Sequence, residues 1–167
     1  LNDDDLIEYL YSNAKTMGAD LDGIGLKSPS FFVWAVRDAF TAPLQRVQII
    51  KGFVDPNGNP QEQVFDVACS DGGMPDSDTY RCPDNNAKVD ISSCAFSQDV
   101  GAAELKTFWT DPTFEVDQRA FYYVRALENP TCRWSTWDAL RNNVEPRSDI
   151  PKTIQERVWS SPIHYIP

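Results

Sequence analysis

Side-chain character alternates most regularly between Gln118 and Trp134, in the stretch QRAFYYVRALENPTCRW. Tyr122, Val124 and Ala126 fall on one face of an extended chain; Phe121, Tyr123, Arg125 and Leu127 fall on the other. A strand that is apolar or aromatic on both faces is normally covered on both sides. The pattern therefore predicts a central strand, inside the fold and away from a sheet edge, running into a cysteine-bearing corner at Cys132.

Other segments yield to the same reasoning. Asp3, Asp4 and Asp5 precede Leu6, Ile7, Leu10, Tyr11 and Ala14, a helical spacing with acids at the positive end of the helix dipole. That helix should end near residues 13–15. Residues 17–26 are punctuated by Gly and Asp and predict a short strand and a loop. Ser28-Pro29 introduces SFFVWAVRD, an aromatic and β-branched strand. RVQIIKGFV from Arg46 and QVFDVAC from Gln63 are two strands joined through Asp55-Pro-Asn-Gly-Asn-Pro60, the clearest hairpin in the chain. Residues 70–99 form a long irregular loop with one short strand at 88–91. Residues 104–109 predict another strand, closed by Asp111-Pro112. Residues 135–142 predict a short helix, with Ser135 as N-cap and Asp138 completing a capping box. Residues 154–165 form a last strand bent at Ser160-Ser161-Pro162.

Seven or eight short strands with two modest helices predict a mainly β fold, an antiparallel β-sandwich, as a single domain over residues 1–167. Parallel βαβ units would need helices between the strands, and these are lacking.

Composition narrows the function classes. Hydrophobic residues at 41% and aromatics at 12% describe a globular chain. A net charge of −10 opposes binding to nucleic acid and to anionic membrane surfaces. No apolar run is long enough to span a bilayer as a helix. Cys69, Cys82, Cys94 and Cys132 are even in number and lack a CxxC spacing, which suits two disulfides in an oxidising compartment. Four cysteines allow three pairings, and spacing does not choose among them. A bridge closing the loop around residues 70–94, which has little apolar content, would contribute roughly 3 kcal/mol.

The candidate chemistry is sparse. Asp55, Asn57, Asn59 and Asp66 mimic a calcium loop, but Pro60 stands where the sharp turn needs glycine, and the flanks are strands. Asp71, Asp76, Asp78 and Asp84 share one loop and suit a solvated surface better than a cation site. His164 is the sole histidine and has no neighbouring His, Asp or Cys set. Glu128 and Glu156 form a carboxylate pair if their strands are adjacent; the competing expectation is ion pairs with Arg125, Arg133 or Arg157. Trp34, Trp109, Trp134, Trp137 and Trp159 are expected mostly in the core, with a sugar-stacking face as the alternative.

Five blocks carry a family resemblance: MGADL, SPSFFVWAVRD, RVQIIKGFVDPNGNPQEQVFDVACSDG, FYYVRALENPTCRWSTWDA and TIQERVWSSPIHYIP. Together they resemble the carboxy-terminal region of the uncharacterised bacterial family called domain of unknown function 3604. The motif positions are Tyr122, Tyr123, Arg125, Glu128, Pro130, Arg133, Trp134, Gln155, Glu156, Arg157, Trp159, Ser160, Ser161, Pro162 and Tyr165. His164 and Ala19 depart from the family's usual Trp and Gly.

The resemblance implies a kinship with the polymerase-and-histidinol-phosphatase (PHP) superfamily, a divalent metal held by an upstream barrel in the parent protein, and export to the periplasm or beyond. It implies no catalytic residue and no cofactor in this stretch. The expected function is a non-catalytic carboxy-terminal accessory domain whose partner is the amino-terminal remainder of its own chain. The expected docking face is an apolar patch with arginines. The alternative is a module that binds carbohydrate or a cell-surface partner.

Overall fold

The computed structural model describes residues 3–22 and 27–167. Its elements are α1 (Asp3–Asn13), β1 (Asp20–Asp22), β2 (Ser30–Val36), β3 (Leu44–Val54), β4 (Pro60–Cys69), β5 (Val89–Asp90), β6 (Ala95–Phe96), β7 (Glu104–Thr110), β8 (Ala120–Cys132), α2 (Trp134–Arg141), β9 (Thr153–Trp159) and β10 (Ile163–Ile166). The fold is mainly β. The loop expected within residues 17–26 lies partly outside the described residues.

A six-stranded sheet runs β1-β10-β8-β3-β4, and β9 pairs the far half of β8 on the side that β10 leaves open. β8 is thus the axis, with β3 along one edge and β9 and β10 sharing the other. The hairpin β3–β4 forms as expected. Its turn holds because the Asp55 carboxylate accepts the N–H groups of Asn57 and Asn59, both at 2.9 Å, while Gly58 takes a φ of 87°. β2 and β7 form a separate antiparallel pair, as do the two-residue strands β5 and β6.

Period-two alternation sorts the sheet's side chains. Val47, Ile49, Phe65, Tyr122, Ala126 and Tyr165 form the core with Val33 of β2 and Leu105 of β7. Phe31 of β2 stacks on Tyr122 with ring centroids 4.8 Å apart, and Trp109 of β7 lies 5.0 Å from Phe65. β2–β7 therefore covers one face of the large sheet, its inner face.

Four expectations need correction. The strands are not all antiparallel: β1 runs parallel to β10, with Leu21 opposite Tyr165. β8 is central within its sheet, and its outer face is covered in part: Leu127 is buried, as are Ile50 and Gln48 beside it on β3. The same face carries Phe121, 40% exposed, with Tyr123 and Arg125 half-buried. The tryptophans are mostly not core: Trp134 is 76% and Trp159 55% exposed, and only Trp109 packs against the core cluster.

The fourth correction concerns α2, which starts one residue early. Arg133 is its N-cap and makes no side-chain cap, so Ser135 lies inside the first turn and no capping box forms. The Arg133 carbonyl takes the N–H groups of Thr136 and Trp137, and the Thr136 hydroxyl donates to Lys152 O at 2.8 Å. The last of these fixes the first turn from outside the helix.

Disulfides join Cys69 to Cys82 and Cys94 to Cys132. The first ties the loop to the end of β4; the second ties it to the end of β8. Asn129, 1% exposed, completes the attachment: its amide donates to Val100 O and accepts from Asn85, both at 2.8 Å. Among the described residues no helix is long and apolar enough to cross a membrane.

Candidate functional site

Among the described residues β2 has a strand partner on one edge only, β7. Beside its free edge the inner face of the large sheet is not fully covered. The result is an open cleft of about 1230 Å³ between β2, α1 and the β8–β9 border. Phe32, Trp34, Val124, Ala126 and Val158 give it apolar walls. α1 closes it loosely, since the helix buries none of its residues.

The register brings Glu128 and Glu156 to this cleft. Leu127 pairs with Arg157 and Pro130 with Gln155, so the two glutamates face the same irregular step between β8 and β9. Both line the cleft. Glu128 accepts a hydrogen bond from the Thr41 hydroxyl at 2.6 Å, and Glu156 is exposed. The ion pairs expected with Arg125, Arg133 or Arg157 are not formed: among the described residues no salt bridge joins either glutamate to an arginine.

Those arginines are held otherwise. Arg125 Nε donates to Gln48 Oε1 at 2.7 Å, and Arg157 Nε donates to the Gln155 carbonyl at 3.2 Å. Arg133 Nε is buried with no acceptor in reach.

Gln155, Ser160, Pro162 and Tyr165 of the motif each join neighbouring segments. The Gln155 amide donates to Gln45 Oε1 at 2.8 Å and to Glu128 O at 3.1 Å, stitching β9 across β8 to β3. Ser160 stands in for a strand residue: its N–H donates to Val124 O at 3.0 Å, and its hydroxyl oxygen accepts Val124 N–H at 2.9 Å. The bend at Ser160-Ser161-Pro162 thereby leaves the Val124 N–H and carbonyl of β8 both paired. Pro162 O accepts the Gly18 N–H, and the buried Tyr165 donates its hydroxyl to Val116 O at 2.6 Å. Trp134 opens α2 in solvent. Tyr123 lies over the outer face beside Phe121. The Phe121 ring in turn fills the space where a side chain on Gly52 would stand, since a Cβ there would lie 2.2 Å from it.

Tyr122 points inward to a buried charge cluster in the core, which sequence reasoning missed. Lys51 Nζ lies 2.8 Å from Asp111 Oδ2, with side chains 2% and 0% exposed. The Tyr122 hydroxyl donates to the same oxygen at 2.8 Å, and Thr113 N–H donates to Oδ1 at 2.8 Å. Burial works against ionising Asp111, but the bonds from Lys51, Thr113 and Tyr122 outweigh it and hold the carboxyl below its usual range. Burial, with the Asp111 charge beside it, pushes the Tyr122 phenol far up. Lys51 also donates to Thr113 O at 2.8 Å, so the cluster is internally satisfied and acts as a lock between the sheets.

The acidic loop does not converge on a cation. Asp76 caps its own turn through the N–H groups of Asp78 and Thr79, Asp84 caps that of Asn86, and Asp71 accepts Gly101 N–H. Asp55 is engaged in the hairpin turn, and Asp66, its supposed partner in a calcium loop, sits on the outer face of the sheet among arginines. His164 is exposed on β10, 6.1 Å from the Phe121 ring.

The chain matches, over residues 1–167, the family described as "Protein of unknown function (DUF3604)". No curated protein matches it. No solved structure matches it either.

Proposed function

The chain belongs to this family of unknown function, and from that premise we propose that it is a non-catalytic β-sandwich accessory domain, largely antiparallel, of a larger exported protein. In this reading it serves by packing against the amino-terminal remainder of its own chain. The parent is a PHP-like hydrolase whose divalent metal is held upstream, and this domain forms its carboxy-terminal part. That context rests on the resemblance of the blocks around Arg125 and Trp159. Two disulfides support a periplasmic or secreted setting.

The observation that carries the reading is the bare edge of β2. Its sequence, SFFVWAV, has no charge and no proline, and the two-stranded layer it belongs to leaves a cleft beside it. Proteins normally guard such an edge with charges, bulges or covering segments. A bare apolar edge next to an apolar cleft suits a strand or loop supplied from elsewhere.

Backbone hydrogen exchange tests this. The β2 amides that point away from β7 should exchange fast in the 167-residue chain and be protected in the full-length product. Equal exchange in both would refute the docking.

A second reading is favoured by the placement of Glu128 and Glu156 in one cleft: a module that takes a carbohydrate there, or a hydrolase that cuts one. General-acid work needs a carboxyl kept protonated by burial or a close second charge, and Glu156 stands in solvent. The accessory reading therefore expects the isolated chain to hydrolyse neither phosphoesters with added metal nor glycosides. Turnover lost in Glu128→Gln and Glu156→Gln would overturn it. A saturable tryptophan-fluorescence shift on glycan titration would support the carbohydrate module instead.

A further inference from the structure

The helix α1 lies across the mouth of the cleft. At its start the Asp3 carboxylate accepts two bonds from Lys106 Nζ, at 2.9 and 3.0 Å. Lys106 of β7 stands opposite Trp34 of β2. Both point away from the core, because their strand neighbours Val33 and Leu105 belong to it. Past the other end of the helix, Gly18 N–H donates to Pro162 O at 3.0 Å, at the bend between β9 and β10. Between these two fastenings Ile7, Leu10 and Ala14, one helical stripe, line the cleft. The helix therefore starts over the outer side of the β2–β7 layer. It comes down past the free edge of β2 to the border of the large sheet.

Its two ends are held very differently. Beyond Gly18 the chain enters β1, which is paired to β10 with Leu21 opposite the fully buried Tyr165. That end is anchored in the sheet. At the other end the Asp3–Lys106 pair stands in solvent, with side chains 53% and 37% exposed. An exposed pair of this kind holds weakly and is screened by salt.

Little else fixes the helix. It has 11 residues and buries none of them. Among the described residues no strand packs closely along it. A helix this short is marginal in water unless a packed face supports it. Residues 15–18, which join it to β1, are all exposed, and Gly18 takes a φ of 89°. Such a connection can absorb a rotation of the helix against an anchored strand.

Opening would leave no group stranded. Without Asp3, Lys106 still has Glu104 at 3.9 Å and the Trp34 ring, whose centroid lies 4.9 Å from Nζ. Trp34 in turn is held by its Nε1 bond to Glu104 at 3.0 Å. The seat of the latch keeps its shape when the helix is away.

We propose that α1 is a hinged flap. It turns about residues 15–18, is latched by Asp3–Lys106, and shelters the β2 edge without pairing with it. A covering segment is one of the ordinary guards of an unpaired edge. Opening admits the strand that pairs with β2, so the purpose of the flap rests on the docking proposed above. The motion itself belongs to the isolated chain.

Amide exchange in the 167-residue chain, followed by NMR, tests the motion with no partner present. The α1 amides should exchange roughly a hundredfold faster than the paired amides of β3 and β8, because the helix opens without the core. Lys106→Gln should quicken the α1 amides by roughly twofold to fivefold, the worth of an exposed ion pair, and leave β3 and β8 as they were. Arg147→Gln, whose partner Asp149 lies elsewhere, should change nothing. Asp3→Cys with Lys106→Cys, joined by a short bis-maleimide, shuts the flap. The native cysteines are all in disulfides, so only the new thiols react. The free-edge amides of β2 should then exchange about tenfold slower than in the same variant before joining. Exchange of α1 only in step with β3 and β8, or β2 amides indifferent to the lock, would overturn the flap. Neither result touches the docking itself, which is read from β2 in the full-length product.

Discussion

Replacing Lys51 by Met keeps the length and apolar body of the side chain and removes its charge. Burial sets the consequence. Lys51 and Asp111 are 2% and 0% exposed, so water does not reach the carboxylate once its cation is gone. Breaking a buried pair from one side costs about 3–5 kcal/mol, because the remaining charge is left uncompensated. Urea unfolding at pH 7, with both disulfides intact, should show a loss in that range.

The acid limb gives a second, independent reading. Asp111 has a folded pKa below its unfolded value of about 3.9, so its contribution is complete above that value and lost as pH falls through the lower folded one. In Lys51→Met the dominant bond to the carboxylate is gone and burial remains, so protonation relieves the variant before it harms the parent. The stability gap between the two should begin to close above about pH 4, as the variant's carboxyl takes its proton, and go on closing as pH falls through the parent's lower folded value. The triple variant Lys51→Met, Asp111→Leu, Tyr122→Phe removes every charged or orphaned member together and should be more stable than Lys51→Met alone. A Lys51→Met loss below about 1 kcal/mol, or single losses that simply add in the triple variant, would refute the claim that these groups act as one dry unit.

The loop attachments supply two further perturbations. By loop-closure entropy, opening Cys94–Cys132, 38 positions apart, should cost about 3.9 kcal/mol, and opening Cys69–Cys82, 13 apart, about 2.9 kcal/mol. Paired Cys→Ala variants compared by urea midpoint would check both the size and the order. Gly101→Ala should destabilise by several kcal/mol: Gly101 has a φ of 100°, and an added Cβ would lie 2.5 Å from Pro43 and 2.8 Å from the Asn129 amide. Thermal unfolding measures it, and a loss under about 1 kcal/mol would show that the Asn129 attachment yields more freely than its packing implies.

Alternation made much of this legible. The two faces of β8, the β3–β4 hairpin, α1 and the bend at Ser160-Ser161-Pro162 were all accessible to local spacing and turn chemistry. What local spacing cannot state is which face meets water. Phe121 and Tyr123 look buried in the sequence, yet Phe121 is 40% exposed and Tyr123 only half-buried. Arg46 and Arg81 meet at Asp66 only through sheet register and a disulfide, which local spacing does not state. Asp66 drew notice for calcium because of its distance from Asp55 along the chain, and across the sheet its neighbours proved to be cations. The Lys51–Asp111 contact links positions 60 residues apart and leaves no local trace, beyond a lysine standing in an otherwise apolar stretch of strand.

The exposed surfaces and the internal fastenings belong to one account. A sheet whose outer face is only partly covered buries less apolar area per residue than one covered on both, so its hydrophobic stabilisation is correspondingly smaller. Here two disulfides, the Lys51–Asp111–Tyr122 cluster and the Asn129 attachment supply order where packing does not. None of them requires the outer face or the β2 edge to be occupied. A domain held this way can keep Phe121 and the free edge of β2 in water without losing its shape. The surface proposed for a strand partner is therefore present before that partner arrives, and binding would carry little of the cost of ordering it.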